Sequence, residues 1–202
     1  VVLYHLDVTW RPSGHIGVVM FLVLSGYLIT CSLVRRLTSG TFSLGSFLVG
    51  RLRRLWPSLA TMIVVTCALF IALNRVLLTK MRPDILPSLL MYLNWAKVFR
   101  KESYFAQAGS PSPLTHFWTL AIEWQFYLAY PPILWTLLRR RVARRRVQAG
   151  MLALAGVSTV LMAVLYAGGA GSTRAYYGTD TRAMSLLLGV WLAFVVPSAA
   201  FG

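Results

Sequence analysis

The stretch VQAGMLALAGVSTVLMAVLYAGGAGST, residues 147–173, contains no Asp, Glu, Lys or Arg. A helix needs about 20 apolar residues to cross the ~30 Å hydrocarbon core of a bilayer, so this stretch is long enough to span one. Three further runs lack charge altogether, and a fourth holds a single charge, Glu123: 15–34, 55–74, 183–202 and 103–138. Lipid offers the backbone no hydrogen bonds, and runs of this length favour helices over the short alternating strands of a membrane barrel. The sequence therefore predicts an all-α fold, a polytopic transmembrane helical bundle.

The composition of the chain points to the same solvent. Of the 202 residues, 57% are apolar and only 12% are charged, and the mean hydropathy is +0.66. Soluble domains carry roughly 25% charged residues, because charge is needed to wet a globular surface. The composition excludes an ordinary soluble domain and predicts a lipid bilayer as the main partner.

The basic residues indicate how the chain is oriented. There are 20 Lys and Arg against 5 Asp and Glu, a formal net charge of +15. Segments 35–55 and 139–146 contain many arginines and no acid, and by the positive-inside rule both face the cytoplasm of a multi-pass plasma or inner membrane protein. These clusters lie between apolar runs rather than on a soluble face, so insertion and contact with anionic lipid headgroups explain them, and no nucleic acid partner is predicted.

Two cytoplasmic loops require an even number of crossings between them, yet three apolar segments lie there. The segment 85–96 is short and contains Pro87 and Asn94, so we expect a re-entrant or surface helix. The remaining segments give about six to seven membrane helices, namely the end of one at 1–9, then 16–34, 57–74, 114–138, 147–167 and one that begins near Ala183, with 100–113 facing outward. Both ends fall within apolar stretches, so residues 1–202 are expected to be a partial membrane domain whose first and last helices are incomplete.

Glu123 is the strongest functional candidate, because an ionisable group inside a span costs about 2.5–3.5 kcal/mol on insertion scales. Counted from Leu114 at 1.5 Å per residue, Glu123 lies ~13 Å deep, near the middle of the membrane. Helical spacing places His116, Glu123 and Tyr127 on one stripe that could line a cavity. A structural bridge to a neighbouring helix is the alternative role for Glu123.

Other residues give weaker signals. His5 lies in the outer half of the membrane, and an imidazole with an ordinary pKa of ~6.5 is a natural proton acceptor. Ser25 and Gly26 interrupt a helix with small residues, which usually means close helix packing. Asp180 and Arg182, two residues apart just outside the last helix, suit an ion pair at the rim. Cys31 and Cys67 lie in apolar runs with no zinc or disulfide spacing, and no metal site is predicted.

Five blocks of sequence carry a resemblance to a known family: 1–5 (VVLYH), 21–30 (FLVLSGYLIT), 51–57 (RLRRLWP), 116–127 (HFWTLAIEWQFY) and 176–183 (YYGTDTRA). They occur in the order seen in the acyltransferase 3 family of integral membrane acyltransferases. The resemblance runs from Val1 to about Ala193. Because that family's domain has about ten membrane helices, the chain resembles its N-terminal two thirds.

The resemblance implies an O-acyltransferase that moves an acyl group, often acetyl, from cytoplasmic acyl-CoA to a hydroxyl of an extracytoplasmic carbohydrate or glycolipid, such as a cell-envelope polysaccharide. Acyl-CoA is then a co-substrate, and no tightly bound cofactor is expected. The family's catalytic histidine corresponds to His5, and its glutamate to Glu123. Its arginine pair corresponds to Arg51 and Arg54, which we group with Arg53 as the predicted acyl-donor site. We place Ser25, His116, Tyr127, Asp180 and Arg182 along the channel or on the acceptor side.

In this interpretation His5 is the general base that takes the proton of the acceptor hydroxyl, or it carries the acyl group transiently. A proton-coupled transporter or flippase that uses Glu123 and His5 as a relay is the competing class. It gives no role to the arginines at 51–54. A structural membrane subunit is a third class, and it does not explain why a charged residue, Glu123, lies inside a membrane span.

Overall fold

The computed structural model of the chain describes residues 14–73, 75–102, 112–167 and 172–196. Within these ranges the secondary structure is helical and no strand occurs, which confirms the all-α prediction. The α-helices are α1 Gly14–Thr38, α2 Leu44–Leu73, α3 Arg75–Leu89, α4 Leu93–Phe99, α5 Trp118–Arg139, α6 Arg144–Ala167, α7 Ser172–Tyr177 and α8 Thr179–Val195, and a 3-10 helix spans Pro113–Phe117. The predicted helix end at 1–9 lies outside the described residues.

Three described helices are long and apolar enough to cross a bilayer by length and composition: Ile16–Thr38, Leu44–Leu73 and Arg144–Ala167. Their outward faces are apolar, as a lipid environment requires. On α1, for example, Ile16, Met20, Leu24 and Leu28 recur every fourth residue and are all exposed. Apolar stripes of this size on a protein surface mark contact with a membrane or another apolar partner.

Helices α1 and α8 run side by side in the same direction and touch through two glycines. A Cβ added to Gly26 would lie 2.1 Å from the carbonyl oxygen of Leu186, and one added to Gly189 would lie 2.0 Å from that of Val23. Small residues let two helix backbones approach this closely, as they commonly do in membranes. The predicted close packing at Ser25-Gly26 is thereby confirmed at Gly26, while Ser25 is half-buried.

Helix α2 corrects one expected boundary. We expected a cytoplasmic loop through residue 55 and a helix from Pro57, but α2 begins at Leu44 and runs through Pro57 to Leu73. Only residues 39–43 connect α1 to α2. Long arginine side chains can stay on a helix at a membrane surface, because their charged ends reach out to water. The predicted donor arginines are therefore side chains of a helix, not of a loop.

The segment 85–96 does not form a membrane span, as the parity of the crossings predicted. Helix α3 ends at Leu89, Met91 has a left-handed φ of 55°, and the seven-residue helix α4 begins at Leu93. Buried ion pairs join α3 to α4: Asp84 accepts from Lys97 at 2.8 Å and from Arg100 at 2.9 Å, and Lys97 also contacts Glu102 at 2.5 Å. Helix α3 folds back along α2, and the indole of Trp56 donates to the carbonyl of Leu89 at 3.3 Å.

Helix α5 buries one face in the bundle and exposes Leu128, Ile133 and Trp135 on another. Its buried side chains include Trp118, Ile122, Tyr130 and Leu134. The helix expected over about 114–138 begins as a 3-10 helix over Pro113–Phe117 and becomes α-helical at Trp118. Glu123 is then five residues into α5, about 7.5 Å along its axis at 1.5 Å per residue.

Both arginine-rich segments lie at one end of the bundle, which we call the arginine end. One core cluster joins Leu33, Phe47, Leu134, Val147 and Phe194, all of them near helix ends on that side. A groove of about 430 Å³ between the last turns of α1 and α5 is lined by Leu37, Thr38, Trp135, Leu138 and Arg139.

Helix α6 is antiparallel to α8 and begins at the arginine end. Both Arg144 and Gln148 donate to the carbonyl of Phe194, near the last turn of α8. At the far end of the pair, the Ser158 hydroxyl donates to the carbonyl of Asp180 at 2.5 Å. The first turn of α8 therefore lies at the end opposite the arginine end, next to α7.

Candidate active site

The site is built around a carboxylate buried in the bundle. Glu123 is 5% exposed, and the hydroxyl of Tyr127, one helical turn later, donates a hydrogen bond to its Oε1. Tyr127 is itself 3% exposed. Within the described residues, Glu123 has no cation within ion-pair distance, so Tyr127 is its closest polar support there. Because a buried carboxylate without a hydrogen-bond partner is costly, this hydrogen bond stabilises the Glu123 carboxylate and holds it in place.

A donor arginine reaches the same tyrosine from α2. The guanidinium of Arg51 lies over the ring of Tyr127, 5.2 Å from its centroid, and over that of Phe47 at 5.5 Å. The two rings meet edge to face at 6.3 Å. A cation over such rings gains about 0.5–2 kcal/mol, depending on how far it is desolvated. Arg51, Tyr127 and Glu123 form one connected unit, which we call the acidic site.

The other two predicted donor arginines flank this unit. Arg53 and Arg54 are both exposed on α2, whereas Arg51 is half-buried. Arg54 lies one turn after Arg51 on the same side of α2. Arg53 projects from another face of the helix.

A second polar cluster, at the depth of the acidic site along α5, was missed by the sequence analysis. The indole of Trp95 donates to Gln125 Oε1 at 3.0 Å, and the Gln125 amide donates to Asn94 Oδ1 at 2.9 Å. Thr179 Oγ1 donates to Gln125 Oε1 at 2.5 Å and accepts from Asn94 Nδ2 at 2.9 Å. This amide cluster joins α4, α5 and α8 through Gln125, which lies two residues after Glu123 on α5. Asn94 interrupts an apolar segment, and Gln125 follows Glu123 in the same polar block, so both carried a signal.

The expected ion pair between Asp180 and Arg182 does not form. Both residues lie in the first turn of α8, which begins at Thr179 rather than near Ala183. Asp180 pairs instead with Arg174 of α7 at 2.7 Å. Arg182 turns inward and donates through Nε to the carbonyl of Tyr176 at 2.8 Å. The acid faces the rim, and the base faces the interior.

The stripe of three polar residues holds only in part. Glu123 and Tyr127 share a face of α5, but His116 is exposed in the preceding 3-10 helix, where the 3.6-residue period does not apply. His5, the predicted base, lies outside the described residues, so its role stays a prediction. No group of three or more His, Cys, Asp or Glu that could hold a metal ion occurs in the described parts of the chain.

This arrangement joins a buried carboxylate to an arginine that faces the arginine end of a membrane bundle. The profile of the acyltransferase 3 family, described as an acyltransferase domain, matches residues 1–199. The chain belongs to the acyltransferase 3 family. The resemblance drawn from the five sequence blocks is thereby confirmed.

The curated relatives are O-acetyltransferases by name. The chain is 41% identical to the peptidoglycan O-acetyltransferase OatA of Listeria monocytogenes, over 98% of the chain and 32% of that protein. It is 43% identical to the "Putative peptidoglycan O-acetyltransferase YrhL" of Bacillus subtilis, over 98% of the chain and 31% of that protein. The chain thus spans about a third of the length of the curated relatives it matches. No solved structure matches it.

Proposed function

We propose that the chain is part of a membrane-embedded O-acyltransferase that moves an acyl group, acetyl in particular, from cytoplasmic acyl-CoA to a hydroxyl of an extracytoplasmic carbohydrate. The single observation that carries this proposal is the acidic site. It connects a cationic side chain suited to phosphate groups, Arg51, with a buried carboxylate, Glu123, through one tyrosine.

The direction of transfer follows from the two ends of the bundle. The arginine end carries the positive charge that marks a cytoplasmic surface, where polyanionic coenzyme A is found. The opposite end carries the aromatic side chains of Trp118 and Tyr176, and it is the acceptor side in this proposal. A cell membrane location with the arginine loops inside fits both assignments.

The chemistry required is the exchange of an ester for a thioester. The acceptor hydroxyl oxygen forms a bond to the acyl carbonyl carbon, the carbon–sulfur bond breaks, and coenzyme A leaves as a thiolate. The hydroxyl proton passes to His5 as general base, typically worth about 10²–10⁴ in rate. Glu123 supports this base or the acyl path. The names of the relatives favour a peptidoglycan acceptor.

A transfer assay in membranes tests the proposal. Inverted vesicles that contain the protein at its natural full length receive acetyl-CoA labelled in the acetyl group, with a carbohydrate acceptor inside. We expect the label to reach the acceptor in wild-type vesicles, and we expect His5→Ala to remove most turnover at normal abundance. A proton flux coupled to solute movement, without acyl transfer, would instead establish the transporter. Near wild-type transfer by His5→Ala would return the histidine to a structural role.

A further inference from the structure

Arg182 is a buried cation to which the proposed reaction assigns no chemical step. It is 9% exposed, in the first turn of α8. Its guanidinium lies over the ring of Tyr176 at 4.7 Å and over that of Trp118 at 5.7 Å. Taking an unpaired charge out of water costs several kcal/mol, and two aromatic faces with one hydrogen bond recover only part of it.

Every described acid is already engaged elsewhere. Asp84 and Glu102 pair with Lys97 and Arg100, and Glu123 accepts from Tyr127. Both oxygens of Asp180 are occupied, one by Arg174 and one by the backbone N–H of Thr181. The guanidinium of Arg182 therefore lacks a counter-ion within the described part of the chain. Asp7 is the one acid that lies outside it.

The remaining donors of Arg182 are suited to an oxyanion. Its Nε is used by the carbonyl of Tyr176, and among the described residues the two Nη groups have no acceptor. Two parallel N–H groups bind a carboxylate or phosphate in a bidentate manner. One turn further along α8, the hydroxyl of Ser185 is 1% exposed and has no hydrogen-bond partner in the described structure. A cation and an unpaired hydroxyl thus lie on the same face of one helix.

The position of Arg182 connects it to the acceptor side. It lies at the end of the bundle opposite the arginine end, and its guanidinium lies over the ring of Trp118. Trp118 precedes Glu123 by about 7.5 Å along α5, at 1.5 Å per residue. We propose that Arg182, on the platform of Trp118 and Tyr176, binds a carboxylate or phosphate group of the acceptor, so that the acceptor is an anionic carbohydrate. This inference rests on the proposed function for the identity of the bound molecule as the acceptor.

Direct binding tests the inference independently of acyl transfer. The purified full-length protein is titrated calorimetrically with three glycans of the same backbone: a neutral N-acetylglucosamine tetrasaccharide, its form with lactyl ether carboxylates, and its form with a terminal phosphate. We expect the wild type to bind an anionic form about 10–100-fold more tightly than the neutral one, the usual range for charge-assisted hydrogen bonds. The tighter anionic form identifies which oxyanion is recognised.

Variants separate recognition from folding. Arg182→Gln should bring the ratio of anionic to neutral affinity close to one while neutral binding changes less than threefold, and Arg182→Lys should give an intermediate ratio. Arg82→Gln removes an exposed arginine from α3 at the same end and should leave the ratio unchanged. Equal binding of all three glycans by the wild type contradicts the inference.

Two further results also decide against it. A loss of neutral and anionic binding together in Arg182→Gln assigns the residue a structural role. An unchanged anionic preference in Arg182→Gln shows that another cation binds the oxyanion.

The inference and the proposed function can fail separately. Failure of labelled acetyl transfer to every glycan, with the binding ratio intact, contradicts the proposed function and leaves the oxyanion site supported.

Discussion

At the scale of single residues, Tyr127 makes two contacts that substitutions can separate. Its hydroxyl supports the Glu123 carboxylate, and its ring carries the Arg51 guanidinium. The sequence placed Glu123 and Tyr127 on one helical face, and so their contact was predictable from spacing. The contact with Arg51 was not, because it joins residues 76 positions apart through packing of α2 on α5.

Tyr127→Phe should lower kcat about 10–100-fold and leave the KM for acyl-CoA near the wild-type value. The change removes the hydrogen bond to a charged group but keeps a ring beneath Arg51. Tyr127→Leu removes both contacts and should also raise the donor KM. Steady-state kinetics in membranes at varied acyl-CoA measure the difference. Wild-type kcat in Tyr127→Phe would show that the hydroxyl has no part in turnover.

Replacement of Arg51 and Arg54 by Ala should raise the KM for acyl-CoA by at least tenfold and change the acceptor KM much less. The reason is the loss of charge-assisted contacts with donor phosphates. Arg75→Ala is the matched control, because Arg75 is an exposed arginine on α3 at the opposite end. An unchanged KM for acyl-CoA at normal abundance would show that Arg51 and Arg54 do not bind the donor and serve only to orient the protein in the membrane.

At the scale of helices, hydropathy located the membrane segments better than it located helix ends. Helix α6 was expected over 147–167 and spans Arg144–Ala167, but α2 begins well before the expected residue 57. Apolar runs mark the lipid-facing length, whereas helices continue into the charged interface. The inward turn of Arg182 was equally hidden, because Arg174, six residues before Asp180, takes the acid that the sequence offered to Arg182.

The α1–α8 contact should tolerate no side chain at its two glycines. Gly26→Ala places a methyl group against the backbone of Leu186 and should destabilise the protein by about 1–3 kcal/mol, as overpacking typically does. Gly156→Ala in α6 is the control, because a Cβ there meets nothing within 4 Å. Thermal denaturation in detergent compares the two. Equal melting temperatures for the two variants would show that α1 and α8 accommodate the added methyl group without loss of stability.

At the scale of the whole molecule, the two ends of the bundle differ in charge and chemistry. Position 39 lies between α1 and α2 at the arginine end, and Thr79 is exposed on α3 at the other. Ser39→Cys should react with an impermeant maleimide only after the cytoplasmic side is opened, and Thr79→Cys should react in intact cells. Reaction of both from the same side would overturn the orientation proposed for the protein.

Glu123 gives the most direct test of the central claim, that its buried carboxylate is part of an acyl-transfer site. Glu123→Gln keeps the size of the side chain and an acceptor for Tyr127 but removes the charge. The measurement is the rate of labelled acetyl transfer from acetyl-CoA to a carbohydrate acceptor in membranes, normalised to protein abundance. We predict a loss of at least tenfold, the cost of removing a charge-assisted interaction. A rate within twofold of wild type at equal abundance would contradict the claim and make Glu123 a structural contact.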